Sequence, residues 1–184
     1  GANADSVLTF AGFPTCANTL EWNGSSWATC GAMNVGRVYP TGVGTQNDAG
    51  AVGGYVAPAY VACHENYGGA TWSTATALPI TAGLLSSAGS GGDDQIVGNN
   101  NGGTGSDNAY LWNGSSWSAL TNQPSGNLYA RQGNGATTNA AMFFGGSLPG
   151  SPYAPQTGTD IWNGSAWSTG GAMIQGGDMG YGGG

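Results

Sequence analysis

An aromatic residue followed five positions later by tryptophan occurs four times along this chain. Successive closing tryptophans are 45, 45 and 50 residues apart. All seven tryptophans of the 184-residue chain fall in this motif, and a tyrosine fills the eighth position. Spacing this regular predicts one supersecondary unit repeated four times, with stacked copies burying a shared core. The eight positions are Trp22, Trp27, Tyr67, Trp72, Trp112, Trp117, Trp162 and Trp167.

The residues inside the motif predict a β-hairpin. Three copies read Asn-Gly-Ser after the first aromatic, and Asn-Gly favours a type I′ turn because both central residues need positive φ. With Asn23-Gly24 as that turn, Trp22 pairs with Ser25 and Trp27 lies diagonally across from Trp22. The second copy has two glycines at the turn instead.

A short apolar segment ending in glycine precedes each hairpin, which predicts a further strand in every copy. These segments are residues 7–12, 51–54, 95–98 and 141–146. Six residues beyond the second aromatic, three of the four copies have an apolar side chain. The four residues are Met33, Leu78, Gln123 and Met173.

This order of residues resembles the kelch motif over the whole length of the chain. The resemblance rests on Gly-Gly after the apolar strand, the aromatic and Trp, then Met or Leu-Pro, and an Arg. The matching residues are Gly53-Gly54, Gly145-Gly146, Leu78-Pro79, and Arg37 after Met33. The glycine pair is reduced to Ala11-Gly12 and Val97-Gly98 in the other copies, and Arg131 is a looser match. The sequence Trp-Asn-Gly-Ser-Ser-Trp also looks like kelch-type repeats of bacteriophage tail and virion-surface proteins.

The resemblance implies an all-β fold, a β-propeller built from four kelch-like repeats of about 45–50 residues each. We expect a single domain over residues 1–184, with repeats at roughly 7–50, 51–94, 95–140 and 141–184. Residues 1–12 then complete the last blade, so that the N-terminal strand closes a four-bladed ring. Two alternatives are an open segment of a larger propeller and one unit of a fibre whose chains share strands.

The charge balance argues against nucleic acid as a partner. Arg37 and Arg131 are the only Lys or Arg residues, against nine carboxylates, and the formal net charge is -7. Binding a phosphate backbone requires clustered cations, which two isolated arginines do not provide. The same argument applies to anionic membrane surfaces, and no apolar stretch is long enough to insert into a bilayer.

The sequence offers no convincing catalytic site, cofactor site or metal site. A single histidine, His64, is too few for a copper-radical oxidase or a serine triad, and no nucleophile elbow or Walker loop occurs. Residues 91–94 and 99–101 contain oxygen ligands that suit Ca²⁺, but such residues are common in turns. Asp48, Asp107 and Asp160 occur at related phases of the repeat, which favours turn capping over a glycosidase pair.

The aromatic pairs have two interpretations, packing between blades or stacking on sugars. Packing accounts for all eight positions at once, so we expect any ligand site to lie in the irregular loops. The candidate loop residues are Tyr55, Tyr60, His64 and Tyr153. Asn23, Asn113 and Asn163 also head Asn-Gly-Ser sequons, which are sites of N-glycosylation where the source glycosylates. Cys16, Cys30 and Cys63 are odd in number, which leaves open one disulfide plus a thiol or three buried thiols.

Taken together, these features predict a non-catalytic structural or adhesive module on the outside of a cell or on a virion, of the phage tail or fibre type. Its partners would be other virion or surface proteins, or host glycans, bound through loops on a rigid scaffold. A homo-oligomer or fibre is also compatible with the sequence. Two alternatives are a carbohydrate-binding, lectin-like propeller and the repeat unit of an extracellular filament.

Overall fold

All regular structure in the described part of the chain is β-strand. The computed structural model describes residues 5–98, 106–126, 128, 130–149 and 154–177. The nineteen strands form antiparallel sheets, four of them large and two of them short two-stranded hairpins. The fold is therefore all-β, as the sequence predicts. The described residues include no helix that could cross a membrane.

The first two large sheets, which we call sheets I and II, come from the first two copies of the motif. Sheet I contains β1 (Val7–Phe10), β2 (Thr19–Trp22) and β3 (Trp27–Cys30). Sheet II contains β4 (Thr41–Thr45) and β5 (Asp48–Val52). An inserted hairpin of β6 (Tyr55–Val56) and β7 (Ala59–Tyr60) follows, and sheet II then ends with β8 (His64–Tyr67) and β9 (Trp72–Thr74).

Sheets III and IV follow the same plan. Sheet III contains β10 (Ser86–Gly91), β11 (Asp94–Gly98), β12 (Ala109–Trp112) and β13 (Trp117–Ala119). Sheet IV begins with β14 (Gln132–Thr137) and β15 (Ala140–Phe144). A second inserted hairpin of β16 (Ser147–Leu148) and β17 (Ala154–Pro155) comes next, and sheet IV ends with β18 (Thr159–Trp162) and β19 (Trp167–Thr169).

Each motif forms a hairpin, but the turn is centred one residue later than predicted, so each cross-strand partner is two residues further along the chain. Trp22 lies directly opposite Trp27, because Gly24 and Ser25, not Asn23 and Gly24, occupy the centre of the turn. The Asn23 carboxamide oxygen accepts hydrogen bonds from the backbone N–H of Ser25 and Ser26, both at 3.0 Å. Only Gly24 then needs positive φ, at 91°, which is the requirement of a type II′ turn. The same pairing recurs in the other three copies.

The first strands of sheets II, III and IV, namely β4, β10 and β14, lie side by side in one row. These strands are rich in glycine, and a Cβ at Gly133 would overlap the backbone of Ser87 in the neighbouring strand. Small residues therefore allow these strands to approach closely. In sheets II, III and IV the Gly-rich strand precedes the apolar strand, so each of these three sheets draws its first strand from the end of the preceding repeat.

The expectation that the N-terminal strand completes the last sheet is wrong for β1. Sheet IV takes all four strands from residues 132–169, whereas β1 pairs with β2 of its own sheet. The reason is that Val7–Phe10 corresponds to the second strand of the other sheets and not to the first. Within the described residues, sheet I has three strands and the outer edge of β1 bears no partner strand.

The core consists of apolar layers between consecutive sheets. Between sheets I and II, Phe10 packs with Met33, Ala51 and Tyr67. The layers between sheets II and III and between sheets III and IV have comparable compositions. Their buried members are Val52, Leu78, Ala82, Leu85 and Val97 in one layer, and Ala88, Ile96, Ala141, Phe143 and Trp162 in the other.

The turns between strands also connect neighbouring sheets. Asp48 of sheet II accepts a hydrogen bond of 2.7 Å from the backbone N–H of Gly92 in the β10–β11 turn. Asp94 of sheet III accepts hydrogen bonds from the hydroxyl and backbone N–H of Thr138 in the β14–β15 turn. We call this side of the molecule the turn end. The opposite side carries the longer connections and both inserted hairpins, and we call it the loop end.

Candidate functional site

The repeated aromatic residues lie in the packing between and within sheets. The two rings of each motif are separated by 5.5 Å in sheet I, 5.1 Å in sheet II, and 5.3 Å in sheets III and IV. Tyr67, Trp72, Trp112 and Trp162 are buried. Trp22, Trp117 and Trp167 are partly exposed, and Trp27 has 51% of its surface exposed. The buried rings are therefore not available for stacking on a sugar.

Indole N–H groups link consecutive parts of the structure. Trp72 of sheet II donates to the Thr19 hydroxyl of sheet I at 2.8 Å. Trp117 of sheet III donates to the carbonyl of Thr76, just after sheet II, at 3.0 Å. These hydrogen bonds fix the orientation of the indole rings, in addition to the apolar packing that the rings provide.

Both arginines are buried in ion pairs at equivalent places in sheets II and IV. Arg37 pairs with Glu65, the second residue of β8, and Arg131 pairs with Asp160, the second residue of β18. In each pair the guanidinium also donates to the carbonyl directly opposite the acid, Ala51 in sheet II and Phe143 in sheet IV. Arg131, the looser match in sequence, thus makes the same ion pair and the same contact with the opposite carbonyl as Arg37.

The two ion pairs hold the loop-end connections against the sheets. Asn34 donates its backbone N–H to Glu65 at 2.6 Å. Ser125 donates its hydroxyl to Asp160 at 2.7 Å. Asp160 was predicted to cap a turn through local Asx hydrogen bonds, but it instead binds a turn 35 residues away and pairs with Arg131. Burial lowers the pKa of Arg131, and the hydrogen bond to Asp160 opposes that effect.

His64 lies in the interface between sheets II and III rather than in an exposed loop. Its ring is 4.6 Å from the ring of Trp112 and 5.1 Å from that of Trp117. One ring nitrogen is 3.2 Å from the Thr76 carbonyl and the other is 3.1 Å from the Gln95 amide nitrogen. Nδ1–H therefore donates to Thr76 while Nε2 accepts from Gln95, which describes a neutral imidazole. Burial is the largest cause of a lowered His64 pKa.

Three tyrosines cluster at the loop end of sheet II, and we call them the tyrosine cluster: Tyr39, Tyr55 and Tyr60. Tyr55 and Tyr60 face each other across the β6–β7 hairpin, with ring centroids 5.2 Å apart and an interplanar angle of 66°. Tyr39 follows Val38, which pairs with Tyr55, and 48% of its surface is exposed. Tyr39 was not predicted, because it lies sixteen residues before Tyr55 in the sequence.

The corresponding loop of sheet IV is described only in part. Its hairpin β16–β17 has the same place in the chain as β6–β7, between the second and third strands of the sheet. Tyr153, the fourth candidate loop residue, lies outside the described residues. The structure therefore brings Tyr55 and Tyr60 together and separates both from the solvent-inaccessible His64.

A pocket of about 250 Å³ lies beside the start of β8. Its walls are mainly apolar and include Val35, Ala62 and Ala75, together with Cys63.

Cys16, Cys30 and Cys63 are all free thiols. Burial raises the pKa of Tyr67, and so do hydrogen bonds involving Cys30 and Glu21. Of the alternatives left open by sequence, the structure has three partly buried thiols and no bridge among them.

The described residues contain no group of three His, Cys, Asp or Glu side chains that could hold a metal ion. Asp94 of the suggested calcium loop is engaged by Thr138 and by the Ser90 hydroxyl at 2.8 Å. Burial raises the pKa of Asp94, but these hydrogen bonds outweigh it and leave the pKa lowered. Residues 99–101, the other part of that suggestion, lie outside the described residues.

The three sequon asparagines occupy exposed turns at the turn end. The carboxamide oxygens of Asn113 and Asn163 accept from two backbone N–H groups each, as that of Asn23 does. The turn geometry thus explains why asparagine precedes glycine in these copies.

No family model matches the sequence, and no curated protein matches it either.

Proposed function

We propose that this chain is a non-catalytic binding module displayed outside a cell or on a virion, built as a kelch-like propeller. The observation that supports the proposal is that residues repeated in all four copies have structural roles, whereas the tyrosine cluster lies outside the repeated motif. The residues common to the four copies pack, pair or cap turns. The tyrosine cluster breaks the repeat: Tyr39 is exposed, and Tyr55 and Tyr60 are partly exposed on an inserted hairpin beside it. A binding site on a loop supported by a scaffold has this arrangement.

Closure of the ring is part of this proposal. Sheet I needs a first strand, and the first strands of the other sheets are rich in glycine. Residues 178–184 contain four glycines and follow β19 at about the distance along the sequence that separates β3 from β4. We propose that a Gly-rich strand of the same chain completes the edge of β1 that has no partner strand among the described residues, which gives four blades of four strands each.

Removal of residues 178–184 tests closure. We expect the truncated chain to remain folded but to melt at lower temperature, because sheet I keeps an unpaired edge. Light scattering in the same experiment distinguishes ring closure within one chain from strand sharing between chains. If the full-length chain is a dimer or filament and truncation makes it a monomer, the segment joins different chains and the closed ring is wrong.

Adhesion measures the proposed activity directly. Beads coated with the protein are presented to a panel of bacterial and eukaryotic cells, next to beads carrying Tyr55→Leu or the control Phe13→Leu. Phe13 is 86% exposed, so its replacement removes an exposed aromatic with little effect on packing. We expect adhesion that Tyr55→Leu reduces and Phe13→Leu does not. Adhesion that is absent throughout, or insensitive to Tyr55→Leu, contradicts a loop-end binding module.

Two other functions have a specific observation in their favour. A lectin-like propeller is favoured by the exposed rings of the tyrosine cluster, and binding on a glycan array would identify it. A filament repeat is favoured by the edge of β1, which has no partner strand among the described residues, because an unpaired edge can pair with another chain. A monodisperse monomer in light scattering would exclude the filament.

A further inference from the structure

The tyrosine cluster is held in a fixed geometry by its surroundings. The ring of Tyr60 lies against Gly83, where a Cβ would come within 2.8 Å of the ring. Tyr39 has a φ of 59°, and its carbonyl accepts a hydrogen bond from the N–H of Leu84 at 3.2 Å. Positive φ is unusual for a bulky side chain, and such outliers concentrate at binding sites.

The rings of the cluster are also close enough to influence one another. Burial raises the pKa of Tyr60, and the neighbouring Tyr39 and Tyr55 raise it further. Tyr55 and Tyr60 are inclined at 66°, so their faces do not form a flat platform. Rings set at such angles can surround a small rounded group from more than one side.

The hairpin that carries two of these rings has few groups for recognising hydroxyls. Residues 55–60 read Tyr-Val-Ala-Pro-Ala-Tyr, so the phenol oxygens are the only polar side-chain atoms in it. Carbohydrate sites need several polar groups that fix the ligand, besides an apolar surface. The cluster therefore suits a ligand that needs aromatic faces and few directional hydrogen bonds.

The charge of the molecule selects among such ligands. Arg37 and Arg131 are the only Lys or Arg residues, and both are buried in ion pairs. The lowered pKa of buried His64 keeps its imidazole neutral near pH 7. The charge of -7 thus resides on the remaining carboxylates. Such a field attracts cations and repels anionic ligands.

We propose that the tyrosine cluster binds a methylated ammonium ion, such as the trimethylammonium group of choline or of trimethyl-lysine. Tyrosine faces attract a cation through the ring quadrupole when it lies within about 6 Å of the ring centre. A methylated ammonium is weakly hydrated and needs no hydrogen-bond acceptor, which fits a hairpin whose only polar side-chain atoms are two phenol oxygens. This inference rests on the proposed function and names the ligand class for the same loop end.

Titration with tetramethylammonium and with choline tests the proposal. The matched control ligand is 3,3-dimethyl-1-butanol, which has the shape of choline without the charge. Saturation-transfer NMR follows the ligand methyl protons, and calorimetry at constant ionic strength gives the affinity. We expect both cations to bind and the neutral analogue to bind at least about five-fold more weakly, given the strength of a cation–π contact.

Variants connect the binding to the cluster. Tyr39→Leu is expected to weaken choline binding about five-fold, whereas Tyr39→Phe keeps the ring face and most of the affinity. Phe13→Leu should leave binding unchanged. Because Tyr39 is half exposed, these variants serve even if replacement of Tyr60 prevents folding. Phosphatidylcholine vesicles and a trimethyl-lysine peptide then distinguish a lipid source of the group from a protein source.

Three outcomes overturn the proposal: equal binding of the neutral analogue, binding of methyl glycosides in place of choline, or no binding of any cation. If no cation binds but coated beads still adhere through Tyr55, the choice of ligand is wrong and the binding module remains. If cations bind through the cluster while adhesion fails in every cell panel, the ligand site stands without the adhesive function.

Discussion

Sheets II and IV differ from sheets I and III in the way that they stabilise the loop end. Glu65 and Asp160 in sheets II and IV occupy a position that is Leu20 in sheet I and Tyr110 in sheet III. Within the part of the chain that the structure describes, which omits residues 99–105 of sheet III, only sheets II and IV pair that residue with a buried arginine and carry an inserted hairpin. We infer that the ion pair fixes the long connections from which the hairpins extend, where apolar packing is enough in the other two sheets.

The largest expected effect on stability comes from removing one of the ion pairs that distinguish sheets II and IV from sheets I and III. Asp160→Asn leaves the buried guanidinium of Arg131 without its counter-charge. We expect a loss of about 3–5 kcal/mol in the free energy of unfolding, measured with urea. The matched control in sheet III is Tyr110→Phe, which should cost about 1 kcal/mol or less.

The double variant Arg131→Met with Asp160→Leu removes both charges and sharpens the test. We expect it to recover part of the loss, because no unpaired charge remains buried. If Asp160→Asn is as mild as Tyr110→Phe, the ion pair does not distinguish sheet IV from sheet III.

The second-largest expected effect is a pH dependence of the unfolding free energy, which sheet II contributes and sheet IV does not. Sheet II has His64 where sheet IV has Thr159. The His64 pKa lies below its usual 6.5 when folded, so the unfolded chain takes up the proton first as the pH falls. The unfolding free energy should therefore decrease as pH falls from above 6.5 toward the folded pKa. Urea unfolding between pH 7.5 and about 5.5 measures this.

His64→Thr, which copies sheet IV, should abolish this slope whatever its effect on stability at neutral pH. Carboxylates titrate mostly below this window, so a slope that persists in His64→Thr would assign the pH dependence to other groups.

The smallest effect lies in the turns. Sheet II has Gly68 where the other sheets have asparagine. A Cβ at Gly68 meets no atom within 4 Å, so Gly68→Asn can add the missing cap to the N–H groups of Ala70 and Thr71. We expect a gain of about 0.5–1 kcal/mol. Asn113→Ala, the reciprocal change, should lose about 1 kcal/mol. Thermal unfolding of both variants is the measurement, and equal melting temperatures would contradict the cap.

The all-β class and the four hairpins could be predicted because aromatic spacing and Asn-Gly are local signals. The hairpin register could not, because Asn-Gly is compatible with two turns and the choice depends on whether the Asn23 side chain bonds to the backbone. The assignment of β1 to the last sheet failed for a related reason. The Gly-rich first strands have no hydrophobic pattern, so the sequence does not reveal that a strand precedes each apolar one.

The candidate site was predicted only in part. Tyr55 and Tyr60 could be found because they flank a proline-containing loop within one repeat. Tyr39 joins them through a bridge between Val38 and Tyr55, which no local pattern indicates. His64 was misplaced because a histidine beside a loop in sequence can still point between two sheets.

Burial of both arginines has a consequence for proteolysis. With no lysine in the chain, Arg37 and Arg131 are the only places where trypsin can cut. Each lies at the entrance to a sheet and is held there by its acid partner, so cleavage requires that region to open first. The rates of cutting at the two positions would then report separately how often sheet II and sheet IV come apart in the native protein.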